Sequence, residues 1–75
     1  VRFAGISTIP LTEQNAEVQL AEARRLMHFS PEARVVQRII EALRLLGRDA
    51  EADEAQAHFR EVYPLEYRQW EHEQR

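Results

Sequence analysis

The chain has 75 residues, of which 31% are charged, and a formal net charge of −3. A chain of this length forms one domain at most and buries only about 60% of the surface that it exposes when unfolded, so we expect modest stability. The slight acidity argues against a general nucleic-acid binder, which is normally basic. Cysteine is absent, which excludes disulfides, thiolate zinc sites and a cysteine nucleophile.

The first residue is Val1 rather than methionine, and we interpret the chain as a piece of a longer protein. No basic segment followed by a long apolar stretch marks a signal peptide. Apolar runs such as Ile39-Ile40 are far shorter than the ~18 residues of a membrane-spanning helix.

Residues 1–11 lack a helical period and contain two interruptions, Gly5 and Pro10. We predict an extended arm whose apolar side chains pack on the first helix, although the end of a linker would have the same composition. These side chains are Phe3, Ile6 and Ile9. Residues 12–75 are then predicted to form the helical domain.

The first helix is predicted to begin near Thr12 and to run to about His28. Thr12 and Asn15 are both favourable N-cap residues. Apolar residues that recur at spacings of three and four follow, which is the pattern of one buried helical stripe. They are Ala16, Leu20, Ala23 and Met27.

The second helix has the clearest signals at its two ends. Ser30, Pro31 and Glu32 are typical of a cap, a proline at the first helical position and an acid in the first turn. Gly47 is placed to end the helix in a left-handed conformation. A wide apolar face predicts that the core lies on this helix. The face consists of Val35, Val36, Ile39, Ile40, Leu43 and Leu46.

The third helix is predicted to begin with Asp49 as its cap and to end at Pro64, and a fourth helix follows from Pro64 to about Gln74. We expect Trp70 on the fourth helix to close the end of the core. The apolar stripe of the third helix is Ala52, Ala55, Phe59 and Val62. The predicted fold class is therefore all-α, with three to four helices packed as antiparallel hairpins after an extended N-terminal arm.

Comparison of the chain with itself at an offset of 34 residues pairs identical residues, including Ala16 with Ala50 and Ala23 with Ala57. This offset is the length of a tetratricopeptide repeat, which is a helix–turn–helix unit. The second and third helices resemble one such unit, with Gly47 in the turn. We therefore predict tetratricopeptide-like packing, in which units bury their apolar faces by stacking.

Candidate catalytic and metal-binding groups are few. Glu54 and His58 are four residues apart on one helical face, as zinc ligands sometimes are, but no second histidine stands at that spacing, and we interpret both as surface residues. Glu51 and Glu54 lie on the polar face, whereas a general acid needs a desolvated pocket. The sequence therefore predicts no catalytic residue, no cofactor and no metal site in this chain.

Arginines on the second helix are the first candidates for contact with a partner. Arg34, Arg38 and Arg48 lie roughly along the outer edge of this helix, with Arg44 to one side and Glu41 interrupting the row. Such a row suits an anionic partner. A solvated face in which Arg38 pairs with Glu41 is the alternative.

Aromatic residues near the end of the chain are the second candidates. Tyr67 and Trp70 stand three residues apart on the last helix, and they are the best candidates for exposed recognition of a peptide or a sugar. Packing in the core and at its end is the alternative for the whole aromatic set. The other members of that set are Phe29, Phe59 and Tyr63.

Several segments together resemble a known family: the run Ile9–Ala16 (IPLTEQNA), His58-Phe59-Arg60, Tyr63-Pro64, Tyr67 and Trp70. The resemblance is to the C-terminal periplasmic region of bacterial membrane-bound O-antigen polymerase/ligase-like proteins, a group that includes the pilin O-oligosaccharyltransferases. It implies a soluble tail with tetratricopeptide-like helices, in a protein that transfers a glycan from a polyprenyl-diphosphate lipid to an acceptor. The catalytic residues of that family belong to periplasmic loops that this chain does not contain, so none is carried over.

Two functional hypotheses follow. The first is a non-catalytic domain at the periplasmic face of the bacterial inner membrane, in contact with acceptor protein, glycan or the membrane domain of its parent. The second is a stand-alone tetratricopeptide-like adaptor that binds a peptide or forms a homodimer. A long polytopic membrane sequence upstream of Val1 would support the first hypothesis and eliminate the second.

Overall fold

The backbone forms four helices in a computed structural model that describes residues 10–74. The helices are α1 (Ala16–Phe29), α2 (Ala33–Leu45), α3 (Asp49–Val62) and α4 (Pro64–Glu73). The all-α prediction is confirmed, and no strand occurs within residues 10–74. Most of the predicted arm lies outside the described residues; Pro10 and Leu11, its last two residues, have no regular secondary structure.

The start of α1 is Ala16, later in the chain than the predicted start near Thr12. Thr12 and Asn15 instead close a turn before the helix, because the Thr12 N–H donates to Asn15 Oδ1 at 2.8 Å. Asn15 Nδ2 donates to the Pro10 carbonyl at 3.0 Å. Asn15 occupies the N-cap position, but its side chain faces back along the chain and makes no cap hydrogen bond to the helix.

The start of α2 also differs from the prediction, since the helix begins at Ala33. The predicted cap Ser30 ends α1 instead, with its N–H donated to the Leu26 carbonyl at 2.7 Å. Pro31 disfavours a helical conformation in the residue before it, and Glu32 is extended, with φ −146° and ψ 155°. The predicted roles of Ser30 as N-cap and of Pro31 as the first helical residue were therefore wrong.

The turn after α2 depends on Gly47, as predicted, and this residue has a φ of +75°. The Arg48 N–H donates to the Leu43 carbonyl at 2.9 Å, and the Gly47 N–H donates to the Arg44 carbonyl at 3.0 Å. These two bonds define a Schellman motif, which satisfies carbonyls that the end of a helix leaves unpaired. Glycine adopts the left-handed conformation without steric cost, so it reverses the chain between α2 and α3.

The junction of α3 and α4 is set by Pro64. The residue Tyr63 alone separates the two helices. Pro64 occupies the first turn of α4, where backbone N–H groups have no partner within the helix, so proline, which lacks an N–H, costs no hydrogen bond there. At the other end of α3, Arg48 holds the N-cap position, and Asp49 is the first helical residue rather than the cap. Its carboxylate still lies in the first turn, where a negative charge stabilises the helix dipole.

The first hydrophobic cluster joins α1, α2 and α3. It is formed by Leu20, Ala42, Leu43 and Ala52, and Leu11 packs against it. Leu20 lies in the first half of α1, whereas Ala42 and Leu43 lie near the end of α2 and Ala52 near the start of α3. The helix α2 therefore runs antiparallel to α1 and α3, as the short connections require.

The second cluster joins α2, α3 and α4 and consists of Val36, Ile40, Phe59 and Trp70. Phe59 is 0% exposed and Trp70 is 8% exposed, and Trp70 is the single buried residue of α4. The expectation that Trp70 closes the end of the core is confirmed. The predicted α3 stripe does not extend to Val62, which is 50% exposed.

The core lies on α2, where the sequence predicted it. Four members of its apolar face are fully buried, while Ile39 and Leu46 are half-buried and pack against the first cluster. The four buried members are Val35, Val36, Ile40 and Leu43.

Alanines that are paired at the offset of 34 residues differ in burial. Ala16 and Ala23 are buried, whereas their counterparts Ala50 and Ala57 are exposed. The helices α1 and α3 do share a length of 14 residues and the same direction relative to α2. Helix hairpins are therefore present, and tetratricopeptide-like repetition stays a prediction.

Candidate functional site

The predicted arginine row on α2 is divided by ion pairs to α3. Arg44 donates to Asp53 at 2.8 Å, and Arg48 donates to Glu51 at 3.1 Å. Glu51 also meets Arg24 of α1 at 3.3 Å. Arg24 and Arg44 thus link their helices to α3, whereas Arg48 pairs within the start of α3. These paired arginines do not form a continuous basic surface with Arg34.

Arg44 is the most connected of these side chains. Besides Asp53, it lies 3.5 Å from Asp49 and donates to Gln56 Oε1 at 3.1 Å. The hydrogen bond to Asp53 is the main cause that raises the pKa of Arg44 above its ordinary value; partial desolvation acts against it, and the charges of Asp53 and Asp49 add to it. The guanidinium therefore stays charged and fixes α3 relative to the end of α2.

The structure separates the two predicted sets of contact residues. Arg34 is exposed, and Arg38 is half-buried and has an interaction of its own. At about 100° per residue, Arg38 lies roughly opposite Val36 on α2, and Val36 clusters with Trp70. Arg34 and Arg38 therefore do not share a site with Tyr67 and Trp70. A contact role for either set stays a prediction.

Aromatic rings pack together on α3 and α4. Phe59 is 5.6 Å from Tyr67 and 5.6 Å from Trp70, measured between ring centroids, and Tyr63 is 6.2 Å from Phe59. The interpretation of Trp70 as an exposed residue was wrong, because these contacts bury it, whereas Tyr67 is half-buried. Phe29 is 78% exposed and lies outside this group.

A small recess lies where Tyr67 of α4 approaches the outer face of α3. We call it the α3–α4 recess; it has a volume of about 160 Å³ and is lined by Asp53, Gln56, Ala57, Arg60 and Tyr67. Gln56 Nε2 donates to the Tyr67 hydroxyl at 3.5 Å, and Gln56 Oε1 accepts from Arg44. The amide of Gln56 therefore connects Arg44 to Tyr67. The recess therefore brings a carboxylate, an amide, a guanidinium and a hydroxyl to one place.

Arg60 differs from the other arginines near the recess. It is exposed, and within residues 10–74 its side chain has no hydrogen bond or ion pair, so the guanidinium donors remain available to a partner. Sequence analysis missed this residue, together with Asp53 and Gln56. Their spacing of three and four residues along α3 indicates a shared face, but it does not reveal that Tyr67 closes that face.

The histidines do not contribute to a metal site in the described part of the chain. His28, His58 and His72 are all exposed. Among residues 10–74, no group of three potential metal-binding side chains comes together.

Apolar side chains are exposed at one end of the helix bundle. The helices α1 and α3 both run opposite to α2, so their last residues, Phe29 and Val62, lie at the same end, together with Leu65 at the start of α4. Their exposures are 78%, 50% and 72%. A homodimer, which the sequence left open, stays a prediction.

The fold and the recess define a small all-α domain of antiparallel hairpins with an available polar surface on its last two helices. Within residues 10–74, every helix is too short and too polar to cross a membrane. The family model described as virulence factor membrane-bound polymerase, C-terminal, matches residues 1–75, and the chain belongs to this family. The resemblance to membrane-bound O-antigen polymerase/ligase-like proteins is thereby confirmed. Comparisons with curated proteins and with solved structures gave no match.

Proposed function

We propose that this chain is a non-catalytic C-terminal domain of a membrane-bound O-antigen polymerase or ligase, or of a protein O-oligosaccharyltransferase. In this function it holds a glycan, an acceptor or the membrane domain of its parent. The family match supports its place in a membrane-bound polymerase. The observation that carries the contact role is the α3–α4 recess, where three other polar groups lie beside Arg60, whose side chain has no hydrogen bond or ion pair within residues 10–74.

The environment of the recess carboxylate favours contact over chemistry. Asp53 is 70% exposed and is paired with Arg44 at 2.8 Å. A general acid needs a desolvated pocket, whereas Asp53 is exposed to solvent and ion-paired. Asp53 is thus suited to accept hydrogen bonds from a bound group.

We propose the periplasmic face of the bacterial inner membrane as the location of the domain. The basis is the resemblance, since the proteins that it resembles carry a soluble tail on that side. Labelling an introduced cysteine at the exposed position Arg68 with a membrane-impermeant reagent in intact cells tests this proposal. Labelling only after the inner membrane is opened would contradict it.

The contact role is tested in a full-length polymerase that carries this domain. Removal of residues 12–75, with membrane insertion checked by protease protection, is expected to lower glycan transfer. The Arg60→Gln variant is expected to lower transfer as well, whereas Arg68→Gln changes an exposed arginine of α4 and serves as its control. Unchanged transfer after removal of the domain would refute the proposal.

A further inference from the structure

We propose that the α3–α4 recess binds one neutral sugar ring of a glycan chain. This inference rests on the proposed function, which names a glycan as one of the possible partners of the domain. The recess has a volume of about 160 Å³. An engineered cavity of about 150 Å³ binds benzene, whereas pockets for drug-sized ligands span about 300–1,000 Å³. The recess therefore matches one six-membered ring, and a longer ligand would continue out of its open side.

The lining groups favour a ring that carries several hydroxyls. Asp53 accepts hydrogen bonds, Arg60 donates them, and the amide of Gln56 does both. Each sugar hydroxyl also donates and accepts, so it can meet any of these groups. Ala57 and the ring of Tyr67 supply apolar surface for the C–H groups of a sugar, since tyrosine has an apolar body and a polar tip.

The charges around the recess favour a neutral sugar over an anionic one. Asp53 and Arg60 have opposite charges, and both line the recess. The nearby Arg44 is paired with Asp53 and Asp49, so two guanidinium groups are balanced by two carboxylates. A neutral ligand leaves these pairs intact, whereas an anion would meet the Asp53 carboxylate beside Arg60.

Nuclear magnetic resonance titration of the 75-residue chain tests this inference. The probes are the methyl glycosides of glucose, galactose and N-acetylglucosamine, with cyclohexanol as the ring that has one hydroxyl and inorganic phosphate as the anion. We expect saturable shifts of the Gln56, Ala57, Arg60 and Tyr67 amides with at least one methyl glycoside. The dissociation constant is expected on the order of millimolar, as the small number of ligand atoms dictates.

Two variants and a control define the site. Arg60→Gln removes the available guanidinium, and Tyr67→Phe removes the hydroxyl but keeps the ring that packs on Phe59. Each is expected to weaken sugar binding about three- to tenfold, as the loss of one hydrogen bond predicts. Arg68→Gln, on the exposed side of α4, is expected to bind like the unchanged chain.

Three results would overturn the inference. The first is the absence of saturable shifts with every methyl glycoside, and the second is an equal response to cyclohexanol. The third is binding of phosphate in preference to the sugars, which would assign the recess to an anion. If Arg60→Gln impairs a full-length polymerase while no glycoside binds, the proposed function stands and the sugar subsite is refuted. If a glycoside binds while transfer needs no part of the domain, the proposed function is refuted instead.

Discussion

The indole ring of Trp70 packs edge-on against the phenyl ring of Phe59, with centroids 5.6 Å apart and an interplanar angle of 67°. This contact attaches α4 to the rest of the domain, because Trp70 is the single buried residue of α4. The Trp70→Ala variant is expected to lose about 3–5 kcal/mol of unfolding free energy. That is a large part of the roughly 4–11 kcal/mol expected for a domain of this size. Urea unfolding followed by circular dichroism measures the loss.

The conservative variant Trp70→Phe separates ring packing from the indole N–H. The Trp70 Nε1 is buried and has no hydrogen-bond partner among the described residues, so phenylalanine removes an unpaired donor along with some apolar surface. We expect a loss below about 1.5 kcal/mol. Leu65→Ala is the control on α4, since Leu65 is 72% exposed. Equal losses for Trp70→Ala and Leu65→Ala would mean that Trp70 does not anchor the helix.

Two alanines on α3, one buried and one exposed, test how tightly the three helices pack when a larger side chain is introduced. Ala52 is 0% exposed at the contact of α1, α2 and α3, and Ala50 is exposed. Ala52→Leu is expected to destabilise the domain by about 1–3 kcal/mol, because the three helices must move apart. Ala50→Leu is expected to change stability by less than about 0.5 kcal/mol. Similar midpoints for the two variants in thermal unfolding would contradict this packing.

The left-handed residue Gly47 gives a test of the turn between α2 and α3. A Cβ atom at Gly47 would meet no atom within 4 Å, so the cost of substitution comes from its φ of +75° alone. Gly47→Ala is expected to lose about 1–2 kcal/mol. Gly47→Asn should lose less, since asparagine tolerates this conformation. The same loss for both variants in urea unfolding would show that the turn does not depend on the left-handed conformation.

The Arg44–Asp53 pair is expected to contribute a coupling that salt weakens. Both side chains are largely accessible, with exposures of 40% and 70%, and exposed pairs are screened by salt. Because the pKa of Arg44 is raised, this contribution is present below its unfolded pKa and is lost only as the pH rises through the higher folded value. A double-mutant cycle with Arg44→Gln and Asp53→Asn at low and high salt measures the coupling near neutral pH. A coupling that does not change with salt would contradict this surface pairing.

The sequence predicted the elements whose signals are local. Gly47 and Pro64 marked the ends of α2 and α3, and the apolar face of α2 located the core. Trp70 was correctly expected to close that core. These signals depend on backbone geometry and on helical periodicity, which neighbouring residues determine.

The remaining features depend on which helices come together. Ser30 is a favourable N-cap by type, but it is the C-cap of α1. Val62 fits the stripe of α3 by its spacing, but it is 50% exposed. The recess could not be predicted because Arg60 and Tyr67 lie on different helices. Their proximity follows from the single-residue connection at Tyr63 and from the packing of Phe59 against α4.

The kinetic effect of Arg60→Gln in a full-length polymerase tests most directly the central claim that this domain binds rather than catalyses. Glycan transfer is measured over a range of substrate concentrations, with Arg68→Gln as the control. The contact role predicts that KM rises about three- to tenfold and that kcat stays the same, because an interaction made equally in the ground and transition states is lost. A large fall in kcat with an unchanged KM would contradict the claim and would place Arg60 in the chemistry.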